Sequence, residues 1–95
     1  MSKDMKTIKL QGDLTIVTAA ETHKLLRSAI EENLDLAIHF NDIGSADLTF
    51  MQLLAATRHS AEQKGITVEL MPPLPDVLIQ LSEEAGTTDL LNTLS

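Results

Sequence analysis

The chain has no cysteine, no tryptophan and no tyrosine, and its aromatic content is limited to Phe40 and Phe50. Without cysteine there is no disulfide frame, no redox thiol and no thiolate metal site, which fits a reducing compartment. So few rings leave little with which to stack bases or sugars. Long apolar runs are missing too. Nothing reaches the roughly 20 residues that span a bilayer, and the opening Met1-Ser2-Lys3-Asp4-Met5-Lys6 has no apolar run behind its lysines. The expectation is a cytoplasmic protein without membrane insertion. Cations are also scarce: 7 Lys and Arg stand against 14 Asp and Glu, a formal charge of −7 at pH 7. Such a balance repels a phosphate backbone or an anionic membrane, so nucleic acid is disfavoured as a partner. His23, His39 and His59 fall on separate elements with no close ligand spacing, so no metal site is expected. The chain also lacks a P-loop, a dinucleotide fingerprint and any nucleophile–base constellation, which leads us to expect neither a cofactor nor an enzyme.

Ninety-five residues suit a single domain, 1–95, with a modest core. Thr7-Ile8-Lys9-Leu10 alternates with period two, Gln11-Gly12-Asp13 reads as a turn, and Leu14-Thr15-Ile16-Val17 alternates again, which together predict a hairpin. Thr18-Ala19-Ala20-Glu21 has capping-box spacing and predicts a helix start, with Leu25, Leu26, Ala29 and Ile30 as the apolar stripe. Leu36 to Phe40 reads as a strand, and Leu48 to Lys64 as a helix with Leu48, Met51, Leu54, Ala55 and Ala61 inward and Lys64-Gly65 as its stop. Ile66 to Leu70 is a further strand. Met71-Pro72-Pro73-Leu74-Pro75 is a stiff loop, and Val77, Leu78, Leu81 and Ala85 line a helix ended by Gly86. Leu90, Leu91 and Leu94 suggest a last helical turn.

Within each strand the large apolar residues keep one parity: Ile8 and Leu10, Leu14 and Ile16, Leu36, Ile38 and Phe40, Ile66, Val68 and Leu70. Thr7, Lys9, Thr15, His39, Thr67 and Glu69 take the other. A sheet with helices on both faces needs near-continuous apolar strands. The pattern therefore predicts an α/β fold with a small, mixed, mostly parallel four-stranded sheet, its helices packed mainly on one face and the other face open. His39 on that open face is a group whose charge can change near neutral pH.

The stretch from Ile43 to Leu54 carries the functional expectation. Here a strand hands over to a helix, and the crevice beyond the carboxyl ends of strands is where open α/β sheets dock ligands and partners. Gly44, Ser45, Asp47, Leu48, Thr49, Phe50 and Gln52 are the candidate partner-binding residues, and the Thr49 hydroxyl is the foremost of them. Thr49-Phe50-Met51-Gln52 also fits a capping box, so Thr49 and Asp47 are rival caps for the helix. Phe50, one step from Met51, is read either as an exposed aromatic anchor or as half-buried packing.

The order of elements, with Gly12-Asp13-Leu14-Thr15, Asp47-Leu48-Thr49 ahead of Leu53-Leu54, Lys64-Gly65-Ile66 and Pro75-Asp76-Val77, resembles the STAS domain, named for sulphate transporters and anti-sigma-factor antagonists. The resemblance covers about Ile8 to Leu91. It implies a switch protein in which the second residue after the turn aspartate, here Thr49, is phosphorylated by a serine/threonine kinase of the anti-sigma type, and in which phosphorylation releases the partner. Leu48 stands where the family carries another hydroxyl residue, leaving Thr49 as the sole acceptor after Asp47, and Phe50 stands where it carries glycine. The combination of Leu14-Thr15-Ile16, Thr18-Ala19-Ala20-Glu21 and Gln52-Leu53-Leu54 looks like stand-alone members found beside chemotaxis signalling proteins, making such a protein an alternative partner. The alternative function is a non-phosphorylated scaffold subunit of a chemotaxis or lipid-transport complex.

Overall fold

A computed structural model describes residues 5–84 and Gly86. The elements run β1 (Met5–Leu14), α1 (Ala19–Glu31), β2 (Asp35–Ala46), α2 (Leu48–Lys64), β3 (Val68–Leu70) and α3 (Asp76–Glu84). The strands form one sheet in the order β1-β2-β3, parallel at both pairings. Ile8, Leu10, Leu36, Ile38 and Leu70 pack in one core with Leu26 and Ala29 of α1, Phe50, Met51 and Leu54 of α2, and Leu78 of α3. Thr7, Lys9, Gln11 and Glu69, on the opposite parity, stay exposed. The one-sided layering read from parity is therefore present, and it follows from alternation along each strand.

The opening hairpin is not. The described residues hold three strands rather than four, because Met5–Leu14 is one continuous strand paired in parallel to β2. Gln11-Gly12-Asp13 is a register irregularity instead of a turn: Gln11 lies opposite Asn41, Gly12 opposite Ile43 and Asp13 opposite Ser45. Asp42 and Gly44 are thus the extra residues of β2. Gly12 (φ +84°) and Asp42 (φ +51°) take the left-handed conformations that absorb the mismatch. The expected strand Leu14 to Val17 ends at Leu14, and Ile16 points outward, 70% exposed. β2 likewise runs past the expected end at Phe40, continuing to Ala46, the residue before Asp47.

Other departures are local. Thr18 does not form a capping box: its φ of −102° and ψ of 2° turn the hydroxyl backward, where it donates to the Asp13 carbonyl at 2.8 Å. On α1 Leu25 is exposed and Thr22 buried in its stead. On α2 the buried stripe is Phe50, Met51, Leu54, Thr57 and Ala61, while Leu48 and Ala55 are exposed. Gly65 ends α2 in the left-handed region (φ +70°), as read. β3 keeps only the end of the expected Ile66–Leu70 strand, Ile66 instead packing with Ile30 and Ala61 in a small satellite cluster. Leu90, Leu91 and Leu94 lie outside the described residues.

Candidate functional site

Where β1 and β2 end side by side, the irregular register re-aims their last side chains toward each other, a common use of bulges near sites. The Ser45 hydroxyl donates to Asp13 Oδ1 at 2.8 Å. Asp13 also sits over Gly44, where a Cβ would lie 3.3 Å from the same oxygen. The Asp47 amide donates to the Leu14 carbonyl at 3.0 Å and closes the ends of the two strands. The loop 15–18 between β1 and α1 then folds over this junction, with Thr18 N–H donating to Thr15 O at 3.0 Å and Thr18 Oγ1 accepting from Thr15 N–H at 3.2 Å.

Asp47 decides the rivalry between caps. Its backbone is extended (φ −131°, ψ 177°), as an N-cap requires, and its Oδ1 accepts the Thr49 amide at 3.0 Å. Oδ2 accepts the amide of Ile16 at 2.9 Å, across from the β1–α1 loop. One carboxylate thereby holds the first turn of α2 and the tip of the neighbouring loop. Thr49 contributes its amide to this arrangement. Its side chain is half-buried, and among the described residues no group is hydrogen-bonded to its hydroxyl.

The sequence-derived candidates divide accordingly. Ser45, Asp47, Leu48 and Thr49 meet at the mouth, Leu48 being 49% exposed. Gly44 is exposed in β2, and Gln52 is exposed on the next turn of α2. Phe50 is a correction. At 1% exposure it is neither a surface anchor nor half-buried, and its ring meets Phe40 edge-to-face with centroids 6.3 Å apart. Burial there follows from the α2 stripe, since Leu54, Thr57 and Ala61 stack below Phe50 at helical spacing.

Three residues of the mouth were missed from the sequence: Asp13, Ile16 and Val17. Ile16 and Val17 are 70% and 87% exposed beside the α2 cap, giving the junction a small apolar rim. A signal for them existed, because two adjacent apolar residues at the end of an alternating run cannot both face the core. Among the described residues no group of three or more His, Cys, Asp or Glu is placed to hold a metal ion. No helix among them is long and apolar enough to cross a membrane.

The family model for the STAS domain matches residues 2–93. The chain belongs to the STAS family. The three parallel strands, the one-sided helical layer and the Asp-capped helix at the mouth are therefore its version of the STAS fold. A search of curated proteins found no match. STAS domains commonly mediate protein–protein interactions, and in this STAS chain the exposed Ile16 and Leu48 lie beside Asp47, whose carboxylate accepts the Ile16 amide.

Proposed function

We propose that this STAS chain is a cytoplasmic, phospho-regulated protein-interaction switch of the anti-sigma-factor-antagonist kind, acting by binding and not by catalysis. Its docking surface is the mouth formed by Gly44, Ser45, Asp47, Leu48, Thr49 and Gln52, with Asp13, Ile16 and Val17 added. The partner is an anti-sigma-type serine/threonine kinase or a chemotaxis signalling protein. One observation carries the reading: Asp47 caps α2 and leaves the Thr49 hydroxyl uncommitted beside exposed apolar side chains. A threonine needed as a cap would have its oxygen engaged; this one is available as an acceptor. In the modification the γ-phosphoryl group of ATP passes to Thr49 Oγ1, the hydroxyl proton leaves to a base on the kinase, and ADP departs. The product carries about −1.5 to −2 charges at pH 7. Burying that charge in an interface strips its water at a large cost, so the modified form separates from its partner.

Incubation with ATP and an anti-sigma-type kinase, followed by intact-mass measurement, should add one phosphate to the wild type and none to Thr49→Ala. Phosphate on Thr49→Ala at the wild-type level would remove Thr49 from the reading. Equal partner affinity of wild type and phosphorylated protein would favour a constitutive STAS scaffold subunit instead.

A further inference from the structure

Val17 and Ile16 are the two most exposed of the large apolar side chains among the described residues. They are nevertheless held in place. Thr18 ties the base of their loop to Asp13 and Thr15, and the Ile16 N–H bond to Asp47 Oδ2 at 2.9 Å ties its tip across to α2. Since Oδ1 of the same carboxylate receives the Thr49 amide at 3.0 Å, the loop tip and the candidate phospho-acceptor share one anchor.

We infer that Asp47 is the joint through which the state of Thr49 sets the position of Ile16 and Val17, and that these two side chains with Leu48 form an apolar plug for a partner protein. The partner's socket is apolar and rimmed by Lys or Arg. Its basic character follows from charge complementarity to Asp13, Asp47 and Glu21, which outnumber Lys9 in the neighbouring recess, and to a chain of net charge −7. This inference rests on the reading of Thr49 as a phospho-acceptor and adds the route by which phosphate acts.

A basic rim pairs with phosphate and offsets part of the cost of stripping its water. Movement of the plug completes the release. A phosphoryl group on Thr49 Oγ1 lies at the first turn of α2, where free amides and the helix dipole favour an anion. It competes with Asp47 Oδ1 for the Thr49 amide and repels the carboxylate. Once Asp47 swings away, the Ile16 amide loses its acceptor in the same movement, and the plug no longer presents the geometry that the socket fits.

The test uses the full chain, ¹⁵N-labelled, with phosphothreonine placed at position 49 by semisynthesis. Amide exchange of Ile16 should accelerate roughly threefold or more, the effect of losing one solvent-exposed hydrogen bond. Exchange of Leu36 and Ile38 in the central strand should stay unchanged. An Asp47→Ser variant keeps a capping oxygen for α2 but is too short to serve Ile16 as well, and it should show the same acceleration without phosphate. Ile16 protection within twofold of the wild type in both proteins would overturn the joint. For the plug, the probe is the kinase that phosphorylates Thr49: an Ile16→Ser/Val17→Ser double variant should bind it at least tenfold more weakly, and unchanged binding would overturn that assignment. If no kinase modifies Thr49 while the exchange results hold, the phospho-switch reading and the plug for that kinase fail together, and only the coupling of Thr49 to Ile16 through Asp47 stands. If Thr49 is modified and Ile16 stays protected, the joint alone fails.

Discussion

Asp47 bonds through both carboxylate oxygens, and replacing it removes two different kinds of order. The N-cap bond to Thr49 is worth about 1 kcal/mol in typical helices. The bond to Ile16 is solvent-exposed and adds less than a buried charged bond would. Asp47→Ala should therefore cost about 1–2 kcal/mol, lowering Tm by roughly 4–8 °C for each kcal/mol in a domain of this size, as read by thermal melts. Thr49→Ala, which keeps the amide and loses an unpaired hydroxyl, should stay within about 0.5 kcal/mol of the wild type. Phe50→Ala is the opposite case. It empties the core next to Phe40 and should cost about 3–5 kcal/mol in urea unfolding. The sequence placed Asp47 and Thr49 as competing caps because both residue types bond free amides. Only the extended Asp47 backbone and the direction of its side chain separate them. Phe50 was hidden by a smaller ambiguity: adjacent positions on a helix differ by about 100°, so a stripe centred on Met51, Leu54 and Ala55 left Phe50 at its edge, read as either exposed or half-buried. Thr57 and Ala61, lying on the line of Phe50 and Leu54, mark the true centre.

At the scale of elements, helices were more legible than strand connections. α2 begins at its aspartate and ends at Gly65 where residue chemistry places those boundaries, since caps are local. Strand pairing is not local. Gln11-Gly12-Asp13 carries the same residues whether the chain reverses or bulges, and the partner that decides, β2, lies some thirty residues away. Parity survived this uncertainty because alternation holds within a strand whatever it pairs with. Gly12 should thus behave as a bulge residue. With φ at +84° and no atom within 4 Å of an added Cβ, Gly12→Ala meets conformational strain without a clash. It should destabilise by roughly 1–3 kcal/mol, measured by urea unfolding, with the parallel register kept. A hairpin glycine would instead have been essential to closing a turn that this fold does not contain. The mouth was only half legible for the same reason: residues contributed by β2 and α2 are contiguous in the chain, while Asp13, Ile16 and Val17 reach them across the β1–β2 pairing.

For the molecule as a whole, the apolar mouth lies at one end of a body measuring 38 × 24 × 21 Å that carries a charge of −7. Diffusional encounter with a basic partner should be steered toward it, so the association rate should fall steeply as salt rises. Which charges matter follows from distance. The Debye length is about 8 Å at physiological ionic strength. Glu69 sits opposite Ala37 near the far end of β2, and at about 3.3 Å per residue the strand carries it roughly 25–30 Å from Ala46. Asp13 lies at the mouth itself, bonded to Ser45. Stopped-flow association with the partner kinase should show Asp13→Asn slowing association and flattening its salt dependence, and Glu69→Gln leaving both close to wild type. Equal effects of the two variants would mean that net charge alone governs encounter, and that the partner approaches without preference for the end where the strands meet α2.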